Sequence, residues 1–139
     1  MYLLDTNVVS EIRKMKSGKA DANVTAWIHS VNAATLYISV ITVLELEQGI
    51  LSKEREDAAR GTILRNWFEN QVLPAFSQAT LNIDAAVARQ CAQLHVPNKK
   101  GERDALIAAT ALVHNMTVVT RNTKDFKGSP VTLLNPWEN

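Results

Sequence analysis

The sequence has little that would support a disulfide framework, a membrane span or secretion. It contains one cysteine, Cys91, in 139 residues, which excludes an internal disulfide and a cysteine-rich zinc site. No segment reaches the roughly 20 consecutive apolar residues that a membrane-spanning helix needs. The chain opens with Met1-Tyr2-Leu3-Leu4-Asp5, which has no basic leader. We therefore expect a cytoplasmic protein that does not enter a membrane.

An excess of charge of one sign and a glycine-rich loop are also missing. Fifteen Lys and Arg residues against fourteen Asp and Glu residues leave a formal net charge of +1, which does not by itself indicate a nucleic-acid binder. The five glycines form neither a P-loop nor a dinucleotide fingerprint. What remains is 46% hydrophobic and 21% charged residues, with no repeat and no linker. This composition predicts a single globular domain over residues 1–139.

Short apolar runs alternate with helical patterns along the chain. We predict strands at residues 2–4, 36–39, 81–83, 117–120 and 131–134. We predict helices at residues 8–13, 23–31, 42–51, 57–73, 84–95 and 104–114. Thr6 or Asn7 is the expected cap of the first helix, and Pro74 is expected to end the fourth. The alternation predicts an α/β fold with a central parallel sheet flanked by helices, and residues 42–73 suit a helical arm.

Acidic and amide side chains lie next to several of these apolar runs. Asp5 follows the first strand, and Asn122 and Asp125 follow the strand at residues 117–120. Glu45 and Asp104 lie near the starts of two helices. Ligands of open parallel sheets bind beyond the carboxyl ends of the strands, so these side chains are expected to line one crevice. Converging carboxylates are costly to bury without a cation, and Mg²⁺ prefers oxygen ligands, so the pattern predicts a metal site suited to phosphoryl chemistry.

Each of these side chains also has an ordinary structural interpretation. Asp5 would suit the start of a turn. Glu45 and Thr42 match a capping box, in which the glutamate reaches back to the start of its helix. Asp104 would be a favourable charge in the first helical turn, and residues 121–125 have the composition of a common turn. The single residues leave both interpretations open, and only their combination favours a site.

Four motifs in order carry a resemblance to a known family. They are Leu4-Asp5-Thr6-Asn7 at the N-terminus and the segments at residues 39–46, 103–111 and 119–126. Together they resemble the motifs of the PIN-domain nucleases. More narrowly, the chain resembles VapC-type toxins of bacterial type II toxin–antitoxin pairs, close to the FitB-like subgroup, whose ending Asn135-Pro136-Trp137 is also similar. Each motif is short, but the resemblance spans nearly the whole chain.

The resemblance implies a PIN-like fold and a toxin that hydrolyses RNA phosphodiester bonds as a Mg²⁺- or Mn²⁺-dependent endoribonuclease. It also implies inhibition by a cognate VapB-type antitoxin, a homodimer, and contact with DNA only through the antitoxin. Residue by residue, Asp5, Glu45 and Asp104 match the acidic metal ligands of the family. The fourth acidic position carries Asn122 here, which brings no charge, and Asp125 is the alternative occupant.

Further residues have supporting roles under this resemblance. The polar positions that support the acidic site are Thr6, Asn7 and Thr120. Basic residues gather near the acidic segments, and the candidates for RNA phosphate contacts are Lys99, Lys100 and Arg121. Solvated basic residues near helix ends are common, so the contacts rest on the coincidence of these clusters with the acidic segments.

Two other functions are compatible with parts of the sequence. A Mg²⁺-dependent phosphatase of similar topology would use the aspartate after the first strand as a nucleophile, but it would usually carry a second aspartate where this chain has Asn7. A catalytically silent PIN-like module would act through a DNA-binding partner. The missing acid at Asn122 favours that module, whereas the retained acids Asp5, Glu45 and Asp104 oppose it.

Overall fold

The computed structural model describes residues 1–138 and is built around a five-stranded parallel sheet with strand order β3-β2-β1-β4-β5. The strands are β1 (Tyr2–Leu4), β2 (Leu36–Ser39), β3 (Thr80–Leu81), β4 (Thr117–Val119) and β5 (Leu133–Leu134). The helices are α1 (Thr6–Arg13), α2 (Ala22–Ser30), α3 (Val40–Glu56), α4 (Ala58–Trp67), α5 (Leu73–Ala75), α6 (Ala85–Leu94) and α7 (Glu102–Val113). Within residues 1–138, none of the helices combines the length and the apolar character needed to cross a membrane. The predicted α/β class with a central parallel sheet is confirmed.

The central strand β1 is covered on both faces. Leu3 packs with Val118 in an apolar cluster that α6 and α7 complete, and Leu4 packs with Val119 in a second cluster with α1, α3 and α4. Neighbouring side chains of a strand point to opposite faces, so the two clusters lie on opposite sides of the sheet. Leu4 pairs with Val119, which places the carboxyl ends of β1 and β4 side by side.

Four helices begin earlier than the sequence predicts, α1, α3 and α7 by two residues and α2 by one. The first begins at Thr6, because the Oδ1 atom of Asp5 accepts the Thr6 N–H at 2.8 Å and caps the helix. The helix predicted from residue 42 begins directly after Ser39, whose Oγ accepts the N–H of Ile41 at 3.0 Å. The capping-box interpretation of Glu45 is therefore wrong, since that residue lies more than a turn beyond the helix start.

The helices predicted as an arm, α3 and α4, pack against each other. Arg65 of α4 forms salt bridges with two glutamates of α3: its Nη1 lies 2.6 Å from Glu47 Oε2, and its Nη2 lies 2.9 Å from Glu54 Oε1. Gly61 is buried against α3, where a Cβ atom would lie 2.5 Å from the Cα of Glu54. The absence of a side chain at this position lets the two backbones approach closely.

The helical path continues beyond α4 through a π-helical turn, Phe68–Val72, into α5. Pro74 was expected to end the helix, but it lies at the start of α5, where the missing N–H of proline costs little. Phe68 and Val72 are buried in the core, whereas Ile63 of α4 is 63% exposed. The π-helical turn therefore contributes its apolar side chains to the core of the chain.

Candidate metal centre

A cleft of about 350 Å³ opens beyond the carboxyl ends of β1 and β4. Its walls come from α1, α3, α7 and the turn after β4. The lining residues are Asp5, Thr6, Asn7, Ser10, Glu45, Asp104, Asn122 and Asp125. Four segments that are far apart in the chain thus bring their acidic or amide side chains to one place, as expected from a parallel sheet.

Asp5 lies at the base of this cleft and is 7% exposed. Its Oδ1 caps α1, and its Oδ2 accepts the hydroxyl hydrogen bond of Thr120 at 2.8 Å. The Nδ2 of Asn7 lies 3.4 Å from the same Oδ2. Burial raises the pKa of Asp5, the hydrogen bonds from Thr120 and Thr6 oppose that rise, and the charges of Glu45 and Asp125 add to it. The carboxylate is therefore held in a fixed orientation at an electrostatic cost.

Glu45 reaches the cleft from the second turn of α3 and contacts α1. The Thr6 hydroxyl donates to Glu45 Oε1 at 2.6 Å, and the hydroxyls of Thr6 and Thr42 lie 3.2 Å apart. On its other side, Glu45 Oε2 lies 3.7 Å from Arg103 Nη1. Glu45 is thus oriented by neighbours on α1 and α7, and not by the start of its own helix.

Asp104 enters the cleft from the first turn of α7. Its pKa is raised to about 6, mainly by burial and then by the charges of Asp125, Asp5 and Glu45 in that order. No side chain caps this helix, because Gly101 occupies the cap position. An ordinary solvated aspartate in the first turn of a helix would not interact with three other carboxylates. The interpretation of Asp104 as only a favourable charge at the helix start therefore does not account for its surroundings.

The donor set suits a hard divalent cation. Asp5, Glu45, Asp104 and Asp125 offer carboxylate oxygens, which Mg²⁺ and Mn²⁺ prefer. The pKa values of Asp5 and Asp104 are raised by burial and by neighbouring acids, which shows that the cleft concentrates negative charge. A bound cation would remove that repulsion. The residues present therefore fit such an ion.

Asn122 and Asp125, the alternatives for the fourth acidic position, both line the cleft. The N–H of Asn122 donates to the Thr120 hydroxyl at 3.0 Å, and the N–H of Asp125 donates to the Asn122 carbonyl at 3.0 Å. Asp125 raises the pKa of Asp5 and of Asp104, so its carboxylate influences the two principal acids. The structure brings both candidates to the site and leaves the choice between them as a prediction.

The three basic residues predicted to contact phosphate lie in different surroundings. Lys100 lines a small depression next to the cleft together with Asp104 and Asp125. Arg121 is exposed at the end of β4, and its N–H donates to Asn7 Oδ1 at 3.2 Å. Lys99 is exposed and lines neither the cleft nor this depression. Lys100 and Arg121 therefore each have a contact that links them to the cleft, and phosphate contact by any of the three residues stays a prediction.

The loop that carries Lys100 is anchored by His95. The Lys100 N–H donates to His95 Nδ1 at 3.0 Å, which leaves Nε2 to carry the ring proton of the neutral imidazole. That Nε2 faces Cys91 Sγ at 3.7 Å and Glu102 Oε1 at 3.6 Å. Because a metal on Nε2 would need the proton on Nδ1, this cluster is better explained as a loop anchor than as a second metal site.

Several residues around the cleft were not predicted from the sequence as part of the site. Ser10 lines it one helical turn after Asn7, and Thr42 lies one turn before Glu45. Helical spacing from the predicted site residues is the signal that identifies both. Arg103 contacts two residues of α3: its Nη2 donates to Gln48 Oε1 at 2.9 Å, and its Nη1 lies 3.7 Å from Glu45 Oε2. Nothing local in the sequence indicates this pairing.

Comparison with known proteins places this arrangement in a family. The family model for the PIN domain matches residues 2–128. The chain is 39% identical to VapC ribonuclease Y4jK of Sinorhizobium fredii, over 99% of each protein, and 35% identical to Toxin FitB of Neisseria gonorrhoeae, over 100% of each. The solved structure of FitAB bound to an IR36 DNA fragment superposes with a TM-score of 0.84 at 34% identity, covering 100% of this chain and 97% of that one.

These matches extend over the whole cleft, since the PIN-domain match begins before Asp5 and ends after Asp125. They agree with the central parallel sheet flanked by helices. The chain belongs to the PIN-domain family, among the relatives of the VapC ribonucleases and the toxin FitB.

Proposed function

We propose that this chain is the toxin of a type II toxin–antitoxin pair and acts as a Mg²⁺- or Mn²⁺-dependent endoribonuclease that hydrolyses RNA phosphodiester bonds. The observation that carries the proposal is the convergence of Asp5, Glu45 and Asp104 in one cleft of a PIN domain. VapC-type nucleases of this family generally depend on a divalent metal.

In this proposal Asp5 and Asp104 would hold the cation, directly or through water, and Glu45 would support it. Such an ion would supply Lewis-acid chemistry that polarises a phosphodiester and lowers the pKa of water for in-line attack. Hydrogen bonds from Thr120 and Thr6 hold the carboxylates of Asp5 and Glu45 in place, so that little reorganisation is needed on binding.

The remaining residues of the site position the RNA strand and complete the set of acidic residues. Asn122 or Asp125 fills the fourth position, where an amide contributes an oxygen without charge. Lys100 and Arg121 contact backbone phosphates, which orients RNA without reading its sequence. Asn7 links the acidic residues to the basic ones, since its Nδ2 lies near Asp5 and its Oδ1 accepts the Arg121 N–H.

The alternative functions are less well supported. In the phosphatase alternative, the residue two positions after Asp5 would be an acid, but Asn7 is occupied by hydrogen bonds at the site. In the silent-module alternative, the buried acids would have no chemical role, yet Asp5 and Asp104 are kept at an electrostatic cost. Neither alternative explains both the hydrogen bonds of Asn7 and the retention of Asp5 and Asp104.

The proposal includes partners and a location. A cognate VapB-type antitoxin inhibits the chain, and DNA is contacted only through that antitoxin, in keeping with the FitAB complex on DNA. We also propose a homodimer, a single domain over residues 1–139 and a cytoplasmic location, where RNA and the antitoxin are found.

The test is cleavage of total bacterial RNA by the purified, antitoxin-free protein with Mg²⁺ or Mn²⁺. We expect discrete fragments that disappear with a chelator and in the Asp104→Asn variant. Calorimetry with Mn²⁺ should show binding to the wild-type protein. A folded protein that neither cleaves RNA nor binds the metal would favour the silent module and refute the proposal.

A further inference from the structure

The guanidinium of Arg121 lies over the ring of Trp137, with its carbon 5.3 Å from the ring centroid. Arg121 follows Thr120, which bonds the Asp5 carboxylate, and precedes Asn122, which lines the cleft. The exposed arginine is therefore at the rim of the acidic site. Its partner comes from the C-terminal tail, sixteen positions away in the sequence.

The backbone of Arg121 is held on both sides. Its N–H donates to Asn7 Oδ1 at 3.2 Å, and its carbonyl accepts from Asn135 Nδ2 at 3.4 Å. Asn7 also lies 3.4 Å from Asp5 Oδ2, so the position of the arginine is linked to the proposed metal ligand. Only the long Arg121 side chain remains to be oriented.

Trp137 is fixed firmly enough to orient that side chain. Its N–H donates to Asn135 Oδ1 at 2.9 Å, and its carbonyl accepts from Asn23 Nδ2 of α2 at 2.9 Å. Its partly buried ring packs against the apolar cluster that contains Leu4 and Val119. The tail therefore presents a rigid aromatic surface beneath the guanidinium.

The stacked guanidinium keeps its hydrogen-bond donors. Within residues 1–138, no carboxylate forms a salt bridge with Arg121, whereas Arg65 has two salt bridges and Arg103 has one. A cation–π contact occupies the face of the guanidinium and leaves the N–H groups at its edge for an acceptor. Arginine presents these donors as a planar fork that matches the oxygens of a phosphate.

We propose that Trp137 is a positioning residue that holds Arg121 against a backbone phosphate of the bound RNA strand. The inference rests on the proposed function, because it takes RNA as the ligand of the cleft. It adds the C-terminal tail to the substrate-binding surface.

The test measures binding of a short fluorescein-labelled single-stranded RNA of mixed sequence by anisotropy, with chelator present, over a series of salt concentrations. Arg121→Ala should weaken binding about tenfold and lower the slope of log K against log salt by about 0.7, the value for one phosphate contact on a single strand. Trp137→Leu should weaken binding about two- to fivefold. Trp137→Phe, which keeps an aromatic face, should bind nearly as the wild type does.

The decisive comparison is the double variant. If Trp137 acts through Arg121, Trp137→Leu should cause no further loss in the Arg121→Ala protein. Arg89→Ala is the matched control, because Arg89 is exposed on α6 and does not line the cleft. Thermal melts establish that each variant is folded, and Trp137→Met, which also lacks an aromatic face, replaces Trp137→Leu if the leucine variant is not.

Additive losses in the double variant, an unchanged Arg121→Ala protein, or a wild-type protein that does not bind the RNA would each overturn the inference. Binding in chelator requires neither metal nor cleavage. If the wild type is an active nuclease but the losses in the double variant are additive, only the proposed role of Trp137 is refuted. If the losses are not additive but the wild type has no nuclease activity, only the proposed reaction is refuted.

Discussion

Asp104→Asn should have opposite effects on activity and on the stability of the metal-free protein. The substitution keeps the size of the side chain and removes its charge. Asp104 is proposed to hold the cation, so cleavage should fall to background. Burial of the same carboxylate, and then repulsion by Asp125, Asp5 and Glu45, raise its pKa to about 6. Removing the charge should therefore stabilise the protein when no metal is bound.

The sign follows from proton linkage. A carboxyl group with a raised folded-state pKa contributes stability below its unfolded pKa of about 4 and loses that contribution as the pH rises through the folded value. At neutral pH Asp104 thus destabilises the metal-free fold. A rise from 3.8 to about 6 corresponds to about 3 kcal/mol at most, and because part of the side chain stays in water, screening reduces the expected gain to about 1 kcal/mol.

The assay is thermal unfolding at neutral pH, with chelator and with saturating Mn²⁺. With chelator, the variant should melt about 4 °C above the wild type. With the metal at about 100 times its Kd, the wild type should gain about 2.7 kcal/mol and melt higher than the variant. The control is Asp84→Asn, because Asp84 caps α6 outside the cleft and asparagine caps a helix equally well.

A variant that melts below the wild type in chelator would refute the reasoning, since it would mean that Asp104 stabilises the metal-free cleft. If Mn²⁺ raised the melting temperatures of the two proteins equally, the result would contradict the assignment of Asp104 as a metal ligand. Near about pH 3 the two proteins should unfold at similar temperatures, because the Asp104 carboxyl group is then largely protonated in both the folded and the unfolded state.

The remaining predictions concern the fourth acidic position and the arm. If Asp125 is the working acid, Asp125→Asn should abolish cleavage while Asn122→Ala keeps it, and the reverse pattern in the RNA assay would assign the role to the amide. Gly61→Ala should lower the free energy of unfolding by about 1–3 kcal/mol, because its Cβ would overlap the backbone of Glu54. The control Gly49→Ala, with open space around its Cβ, should stabilise by about 0.5–1 kcal/mol in urea unfolding, and equal effects of the two alanines would contradict the packing argument.

Much of the fold could be predicted because its signals are local. The limits of β1 and β2 were predicted correctly, and the helix predicted over residues 84–95 is α6, capped by Asp84, whose Oδ1 accepts the N–H of Val87 at 3.0 Å. The starts of α1 and α3 were predicted too late. Several neighbouring polar residues compete for each cap, and the choice of Asp5 and Ser39 depends on where the preceding strand ends in the sheet.

The sequence by itself determined which residue types were available for the site. An aspartate after the first strand and further acids near three later elements were enough to predict converging oxygen ligands, because parallel strands end at the same edge. The order of those acids along the chain also carried the resemblance to the PIN-domain nucleases.

Only the tertiary structure decided which side chains hold the site together. Thr6 donates to Glu45 across 39 positions of the chain, Thr120 donates to Asp5 across 115, and Trp137 of the tail stacks on Arg121. The sequence carries no local signal for these pairs. They form because the sheet order brings β1 and β4 together and because packing on its two faces fixes where α3 and the C-terminal tail lie.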